Sequence, residues 1–157
     1  MARQPSPIYE GKEPAMAIPR WIEMTHNQAF AQGAFLVSDV TPVIDYDRSS
    51  GENRVQAADK GTSLPLWQVE VLDGDRAASK RARTVTVKFA AAVQPVPPSN
   101  ESGMPFTPVV FEELTVLPYI ERVGEFGRIA WSFRATGMSA AGKSSASSTR
   151  GGSAVSA

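Results

Sequence analysis

The clearest pattern of hydrophobic and polar positions in this chain is a strict alternation from residue 67 to residue 71. The odd-numbered positions Trp67, Val69 and Val71 are apolar, and the two positions between them are polar. A period of two with Val and Trp on the apolar side predicts a half-buried β-strand. No other segment rivals it as a centre, so we expect the stretch Thr62–Asp73 to contain the central strand of the fold.

Four further segments alternate in the same way, with a change of parity inside the first and the third. They are Ala34–Tyr46, Thr84–Ala90, Val109–Tyr119 and Arg128–Thr136. Polar residues fill positions 47–63, which predicts a loop or a loose hairpin. Five prolines lie within residues 91–108 and exclude a helix or a central strand, so we expect a long loop with polyproline character.

The two ends of the chain differ in composition from its middle. Residues 1–33 contain four prolines and scattered apolar residues, which predicts a proline-rich, partly ordered arm that docks on the domain or on a partner. A short helical turn is expected near residues 21–28. Residues 138–157 are rich in Ser, Ala and Gly and cannot bury enough apolar surface, so we expect a disordered tail. The domain itself should span residues 34–137.

Five strands without a convincing helix predict an all-β fold. We expect a small five-stranded barrel, closed or partly open, and the OB-fold is the best-known solution of that size. One departure from that fold is plain, because an OB-fold usually places a helix between its third and fourth strands, where this chain has prolines. A sandwich of two short sheets remains an alternative.

Composition excludes several classes of function. The 157 residues carry 16 basic and 16 acidic side chains, so the whole molecule has no net field that would attract nucleic acid or a membrane. The chain has no cysteine, which excludes disulfides and thiolate metal sites, and its single histidine, His26, cannot build a zinc site alone. We therefore expect no metal and no cofactor. The N-terminus lacks the apolar core of a signal peptide, which predicts a cytoplasmic protein that does not contact membranes.

Charge is segregated locally in one part of the chain. Five basic residues occur between positions 76 and 88 with no acidic residue among them: Arg76, Lys80, Arg81, Arg83 and Lys88. Such a run suits a surface that contacts nucleic-acid phosphates, and Arg128 and Arg134 on the fifth strand would extend it. The alternative is a solvated surface with incidental charge. Both interpretations stay open on sequence alone.

Aromatic residues supply a second candidate feature, because their rings can stack on unpaired bases. Trp67, Phe89, Trp131 and Phe133 lie on the apolar parity of their strands, so core packing explains them better. Tyr119 and Phe126 flank the last hairpin and are the candidates for exposed rings.

Two other motifs predict no chemistry. Residues 137–144 match the letters of a phosphate-binding loop, but no amphipathic helix follows to aim N–H groups at phosphates. Acidic pairs at 45/47, 73/75 and 112/113 are explained better by turns and solvent-facing charge than by acid–base catalysis. No catalytic residue is assigned, and we expect a protein that is not an enzyme.

Four strand motifs together give the chain a family likeness. They are Gly61-Thr-Ser-Leu-Pro-Leu-Trp-Gln-Val-Glu-Val71, Thr84-Val-Thr-Val-Lys88, Phe111-Glu-Glu-Leu-Thr-Val-Leu-Pro-Tyr119 and Arg128-Ile-Ala-Trp-Ser-Phe-Arg-Ala-Thr-Gly-Met138. Over about residues 34–138 the chain resembles the actinobacterial plasmid replication, integration and excision activator family. The resemblance implies a DNA-linked regulatory role for a mobile element, and it carries over no binding residue.

Two functions from different classes follow. The first is an accessory activator of replication, integration and excision that binds single- or double-stranded DNA through the basic residues, with Tyr119 and Phe126 as stacking rings. The second is a protein-interaction module that recruits a replication protein or a recombinase without contacting DNA. Whether the chain self-associates is left open by the sequence.

Overall fold

The computed structural model describes residues 19–142. Within this range the chain is all-β, with a single four-residue helix. The elements, in chain order, are β1 (Ile22–Glu23), α1 (His26–Ala29), β2 (Ala34–Leu36), β3 (Thr41–Pro42), β4 (Leu66–Asp73), β5 (Thr84–Ala90), β6 (Thr107–Glu112), β7 (Thr115–Val123), β8 (Phe126–Arg134) and β9 (Gly137–Ala140).

All nine strands belong to one sheet that curls into an open half-barrel. Its order is β1-β7-β8-β5-β4-β2-β6-β9, and β3 adds to β4. Every pairing is antiparallel except that of β5 with β8. The end strands β1 and β9 do not pair with each other, so the sheet is open, and the expected count of five strands and the closed form of the barrel are wrong. The prediction that the fold is all-β is confirmed.

One of the additional strands arises from a local break at Glu113. The predicted strand Val109–Tyr119 is two strands, β6 and β7, separated where Glu113 adopts a left-handed backbone conformation with φ 48°. β6 pairs with β2 and β9, whereas β7 pairs with β1 and β8. The chain therefore crosses from one half of the sheet to the other at this residue.

The two cleanest sequence patterns are confirmed. β5 has the predicted bounds, and β4 is central because it pairs with β2, β3 and β5. Val69 and Val71 of β4 are buried, as the alternation requires. The predicted strand Ala34–Tyr46 is instead two short strands, β2 and β3, followed by an isolated bridge from Ile44 to Gln56. That bridge and two others make residues 44–65 a loose hairpin.

The core is formed by the apolar side chains of the strands, which lie on the inner face of the curled sheet. Val87, Phe89 and Val109 are each at most 1% exposed, and they pack with residues of β2 and β4. Burying such side chains contributes about 1.5–3 kcal/mol each. The inner face is therefore the main source of stability in the domain.

The predicted arm contributes to this core. Phe30 is 2% exposed, and its ring lies 5.9 Å from that of Phe111 and 5.7 Å from that of Phe133, centroid to centroid. The helix α1 positions it, and α1 itself begins at a capping box in which the Thr25 and Gln28 side chains accept hydrogen bonds from each other's backbone N–H. Residues 19–33 are therefore part of the domain, since Phe30 packs in the core and β1 pairs with β7.

The expected tail begins later than residue 138. β9 pairs with β6 over four residues, from Val109 opposite Ala140 to Glu112 opposite Gly137. Backbone pairing and the half-burial of Met138 hold this segment, which composition alone marked as disordered. The strand also occupies the start of the motif that matches a phosphate loop. The rest of the predicted tail, residues 143–157, and the arm before residue 19 lie outside the described residues. No helix in the described range has the length and apolar character needed to cross a membrane.

Gly74 joins β4 to the loop that carries most of the basic cluster, and we predict that Gly74→Ala destabilises the domain. The Gly74 N–H donates to the carbonyl of Gly33 at 2.9 Å, and an added Cβ would collide with the backbone carbonyl of Gln32. Because backbone must move, we expect a loss of about 2–4 kcal/mol in the free energy of unfolding. Urea denaturation measures it.

The matched control is Gly61→Ala, whose Cβ would lie 3.4 Å from a carboxylate oxygen of Asp59, an ordinary contact distance that needs no backbone shift. This change should alter the free energy of unfolding by less than about 1 kcal/mol. Equal effects of the two substitutions would contradict the close approach at Gly74.

Candidate nucleic-acid interface

The sheet has an open seam between β5 and β8. The two strands pair only through Val87 with Phe133 and Lys88 with Arg134, next to a hydrogen bond from the Ala135 N–H to the Lys88 carbonyl at 3.0 Å. Toward the N-terminal ends of both strands the pairing stops, although β5 remains paired with β4 and β8 with β7. The β7–β8 hairpin consequently stands away from the rest of the sheet, and a cleft of about 710 Å³ lies in the seam.

This cleft brings together some of the residues predicted from sequence. Arg81, Lys88, Arg128 and Tyr119 all line it. Arg76, Lys80 and Arg83 lie on the connection between β4 and β5, residues 74–83, which we call the basic turn, and they are exposed outside the cleft. Phe126 lies at the tip of the hairpin, 82% exposed, and Arg134 faces a different cavity. The predicted set is therefore only partly convergent.

Electrostatics divide these cations into two groups. Within the described residues, Arg81 and Lys88 have no carboxylate oxygen within 4.0 Å, whereas Arg128 forms an ion pair with Glu121, with a hydrogen bond of 2.6 Å from its Nε. The cleft lining holds three cations and two carboxylates, those of Asp73 and Glu121, so its formal charge is 3 − 2 = +1. The charge available to an incoming anion comes from Arg81 and Lys88.

Hydrogen bonds give the basic turn a defined shape. The Asp73 carboxylate accepts from the Asp75 N–H at 2.9 Å, and the Asp75 carboxylate accepts from the Ala77 N–H at 2.9 Å. This is the turn chemistry expected for the 73/75 acidic pair. The Arg83 guanidinium donates to the carbonyls of Arg76 and Ala78 at 3.4 and 3.2 Å. Arg83 therefore carries a positive charge and also closes the turn through these two hydrogen bonds.

The Arg134 side chain is held by contacts within the fold. Its Nη1 lies 2.6 Å from the Asp59 carboxylate, and its guanidinium carbon lies 4.8 Å from the ring centroid of Trp21. The hydrogen bond from Arg134, with further bonds from Thr62, lowers the pKa of Asp59 below its ordinary value. The interaction ties the loose hairpin at residue 59 to β8, and it leaves Arg134 poorly placed to contact a ligand in the seam.

Sequence reasoning missed Trp131 as a residue of the cleft. Trp131 shares a parity with Phe133, which is in the core, and the alternation therefore predicts burial. It is nevertheless 49% exposed and lines the cleft, because β8 extends past the end of the core. Alternation identifies the face of a strand but not where along the strand the core ends. The signal that could have found it is the unusual length of the β7–β8 hairpin.

A second and larger cavity, of about 1010 Å³, lies on the side of Arg134 and His26. The Nδ1 of His26 accepts the Phe111 N–H at 3.1 Å, and burial lowers the pKa of this imidazole. Ser63 and Glu113, the non-glycine residues of the described range with positive φ, lie at or next to its rim. No group of three or more metal-ligating side chains occurs in the described part of the chain. The cavity has an apolar floor, and its histidine serves as a backbone acceptor.

Comparison with family models, with curated protein sequences and with solved structures finds no significant match to this chain. The geometry of the molecule itself therefore carries the functional argument.

The two ion pairs predict different responses to loss of the carboxylate. Asp59→Asn should lower the free energy of unfolding by about 1–2 kcal/mol at pH 7, because it leaves the half-buried Arg134 without its counter-charge. The matched change Glu121→Gln should lower it by less than about 0.5 kcal/mol, since both members of that pair are exposed. Chemical denaturation of the two variants makes the comparison.

The effect at Asp59 should also depend on pH. Because the folded state lowers the pKa of Asp59, its contribution is present above the ordinary pKa of about 3.9 and is lost as the pH falls through the lower folded value. The difference between wild type and Asp59→Asn should therefore shrink between pH 5 and pH 2. A difference that stays constant would contradict the assigned pair.

Proposed function

We propose that this protein is an accessory DNA-binding activator of the replication, integration and excision of a plasmid or integrative element. DNA would bind at the seam between β5 and β8. The observation that carries the proposal is the cleft itself, which Arg81 and Lys88 line together with Tyr119, and neither cation has a carboxylate partner among residues 19–142. The family resemblance of the strand motifs supplies the biological setting and is part of the proposal.

The arrangement suits single-stranded DNA better than a duplex. A strand of DNA needs cations spaced along its backbone and rings that accept unstacked bases. Here Arg81 approaches from the basic turn and Lys88 from the sheet, with Tyr119 and Trp131 on the hairpin side. A cleft of about 710 Å³ admits a few nucleotides but not a double helix, whose major groove alone is about 12 Å wide. Binding across a curved sheet in this way is the OB-like mode, which we keep as part of the proposal.

The basic turn would add longer-range attraction. Arg76 and Lys80 are exposed next to the cleft and have no ion-pair partner in the described range. Charges at such a distance act mainly on the rate of association and on its salt dependence. We assign Arg128 a smaller role, because Glu121 already neutralises it, and we assign none to Arg134.

We predict that the double variant Arg81→Ala/Lys88→Ala binds single-stranded oligonucleotides at least about tenfold more weakly than wild type. Removing two phosphate contacts should also flatten the slope of log K against log salt by about 1.4. Fluorescence anisotropy over a salt series measures both quantities.

The matched control is Arg48→Ala/Arg54→Ala, which removes two positive charges from exposed positions of the loose hairpin that do not line the cleft. It should leave the affinity within about twofold. Equal losses of affinity in the two variants would show that net charge alone explains the effect. Unchanged binding in the first variant would show that the cleft is not the binding site.

We predict that Tyr119→Ala weakens binding of single-stranded DNA by about 1–3 kcal/mol, the usual contribution of one stacked ring. Binding of a duplex of the same length should change much less, because its bases are already stacked. Tyr46→Ala removes a ring that is 75% exposed elsewhere on the surface and serves as the control. Equal losses for both probes would exclude base stacking.

A second candidate function is a recruitment module that binds a replication protein or a recombinase without DNA. The specific observation in its favour is the apolar surface of the β7–β8 hairpin, where Ile120, Phe126 and Ile129 are all more than 70% exposed. A nuclease-treated pull-down from the native host distinguishes the two functions. Retention of a replication protein, together with no affinity for any oligonucleotide, would replace the DNA-binding proposal by this one.

A further inference from the structure

The β7–β8 hairpin extends the core face of the sheet into solvent. Val116 and Phe133 lie opposite each other at the base of the hairpin and face the core. Because side chains two residues apart share a face, the same face continues outward beyond the core. The residues on it, which we call the apolar strip, are Pro118, Ile120, Ile129 and Trp131.

The apolar strip is exposed along its length. Ile120 is 71% exposed, Ile129 is 72% exposed and Trp131 is 49% exposed, and the two isoleucines are directly opposite each other in the ladder. Val123 and Phe126 at the tip have the opposite parity and share the face of Glu121 and Arg128, so they are not part of the strip. The strip alone leaves on the order of a few hundred Å² of apolar area in water, which is comparable to the largest patch on a typical monomer. This is less than the ~800 Å² that each partner buries in an interface of standard size, so a weak and reversible contact is expected.

The charges of the hairpin indicate what covers this surface. Residues 117–132 contain two acidic and two basic side chains, Glu121, Arg122, Glu125 and Arg128, so the hairpin is formally neutral. Glu121 and Arg128 already pair with each other on the face opposite the apolar strip. A polyanion gains little from a neutral apolar surface. A second copy of the same hairpin is also formally neutral, and it brings an apolar area of the same size.

We propose that the apolar strip is the interface of a homodimer in which two copies pack strip to strip about a two-fold axis. An isologous contact needs one self-complementary patch, and a strip of four apolar side chains with a neutral surround supplies it. Ile120 and Ile129 form the outer cross-strand pair of the strip, so the axis should pass close to this pair. Ile129 and Trp131 also line the seam, but Arg81 and Lys88, the cations that carry the proposed DNA binding, are not part of the strip.

Sedimentation equilibrium of the full-length chain tests the proposal. We expect wild type to show a reversible monomer–dimer equilibrium in about the micromolar range. Ile129→Lys places a charge in the strip and should weaken dimerisation at least about tenfold. Val96→Lys makes a comparable change at a site 82% exposed in the loop of residues 91–106, and it should leave the equilibrium unchanged. A strictly monomeric wild type, or equal behaviour of both lysine variants, would overturn the proposal.

Cross-linking locates the interface independently. The chain has no cysteine, so a single introduced thiol reports on one position. With a short bifunctional maleimide, Ile129→Cys should give a covalent dimer, and Val96→Cys should not. Equal cross-linking of the two variants would overturn the strip-to-strip arrangement. Both substitutions are at exposed sites, and circular dichroism checks that each variant is folded.

Two further variants separate the alternatives. If wild type is monomeric and removal of residues 1–18 produces the dimer, the N-terminal segment covers the strip and the proposal is wrong. Arg81→Ala/Lys88→Ala should dimerise like wild type whatever its affinity for DNA. A failure of DNA binding therefore leaves the dimer standing, and a failure of the dimer leaves the DNA site standing.

Discussion

The short parallel pairing of β5 with β8 is the constraint on which the rest of the structure depends. It joins the half of the sheet that contains β4 to the half that contains β7, through the residues Val87–Lys88 and Phe133–Arg134. Val87 and Phe133 put apolar groups on the inner side of this junction, and the Ala135 N–H extends it by one hydrogen bond. Because the pairing is so short, one sheet can contain both a continuous core and an open seam.

The seam and the apolar strip are two consequences of the same geometry. Where β8 leaves β5, the cleft opens and exposes Lys88 and Tyr119. Toward the tip of the hairpin the core ends. The apolar side chains Trp131 and Ile129 of β8 are exposed there, and no other part of residues 19–142 covers them. The two surfaces meet at Ile129 and Trp131; the seam adds cations that have no carboxylate partner in the described range, whereas the strip is apolar. They suit different partners, which is why we assign nucleic acid to the first and a second copy to the second.

Much of this fold could be predicted from local pattern, and the remainder depended on distant contacts. Alternation predicted β4 and β5 because one face of each strand contacts the core and the other face does not. It could not find β9, whose Ser and Ala residues carry no periodic signal and which is held by pairing with β6. Nor could it show that Phe30 docks in the core from a proline-rich arm. For the site, the segregation of charge selected Arg81 and Lys88, which line one cleft, but spacing in sequence could not show that Arg134 lies against Asp59.

The sheet order also has a consequence for how the chain folds. Neighbouring strands come from remote parts of the sequence, with Ile22 opposite Val116 and Ala34 opposite Val109. Among the named strands of residues 19–142, only the β4–β5 and β7–β8 pairs can form by local closure, and each leaves an apolar face open until the other arrives. Because loop closure must precede those long-range pairings, folding should be slow for a domain of this size. During that interval the exposed hairpin surfaces are liable to pair with other chains, so expression level and temperature should govern the yield of folded protein.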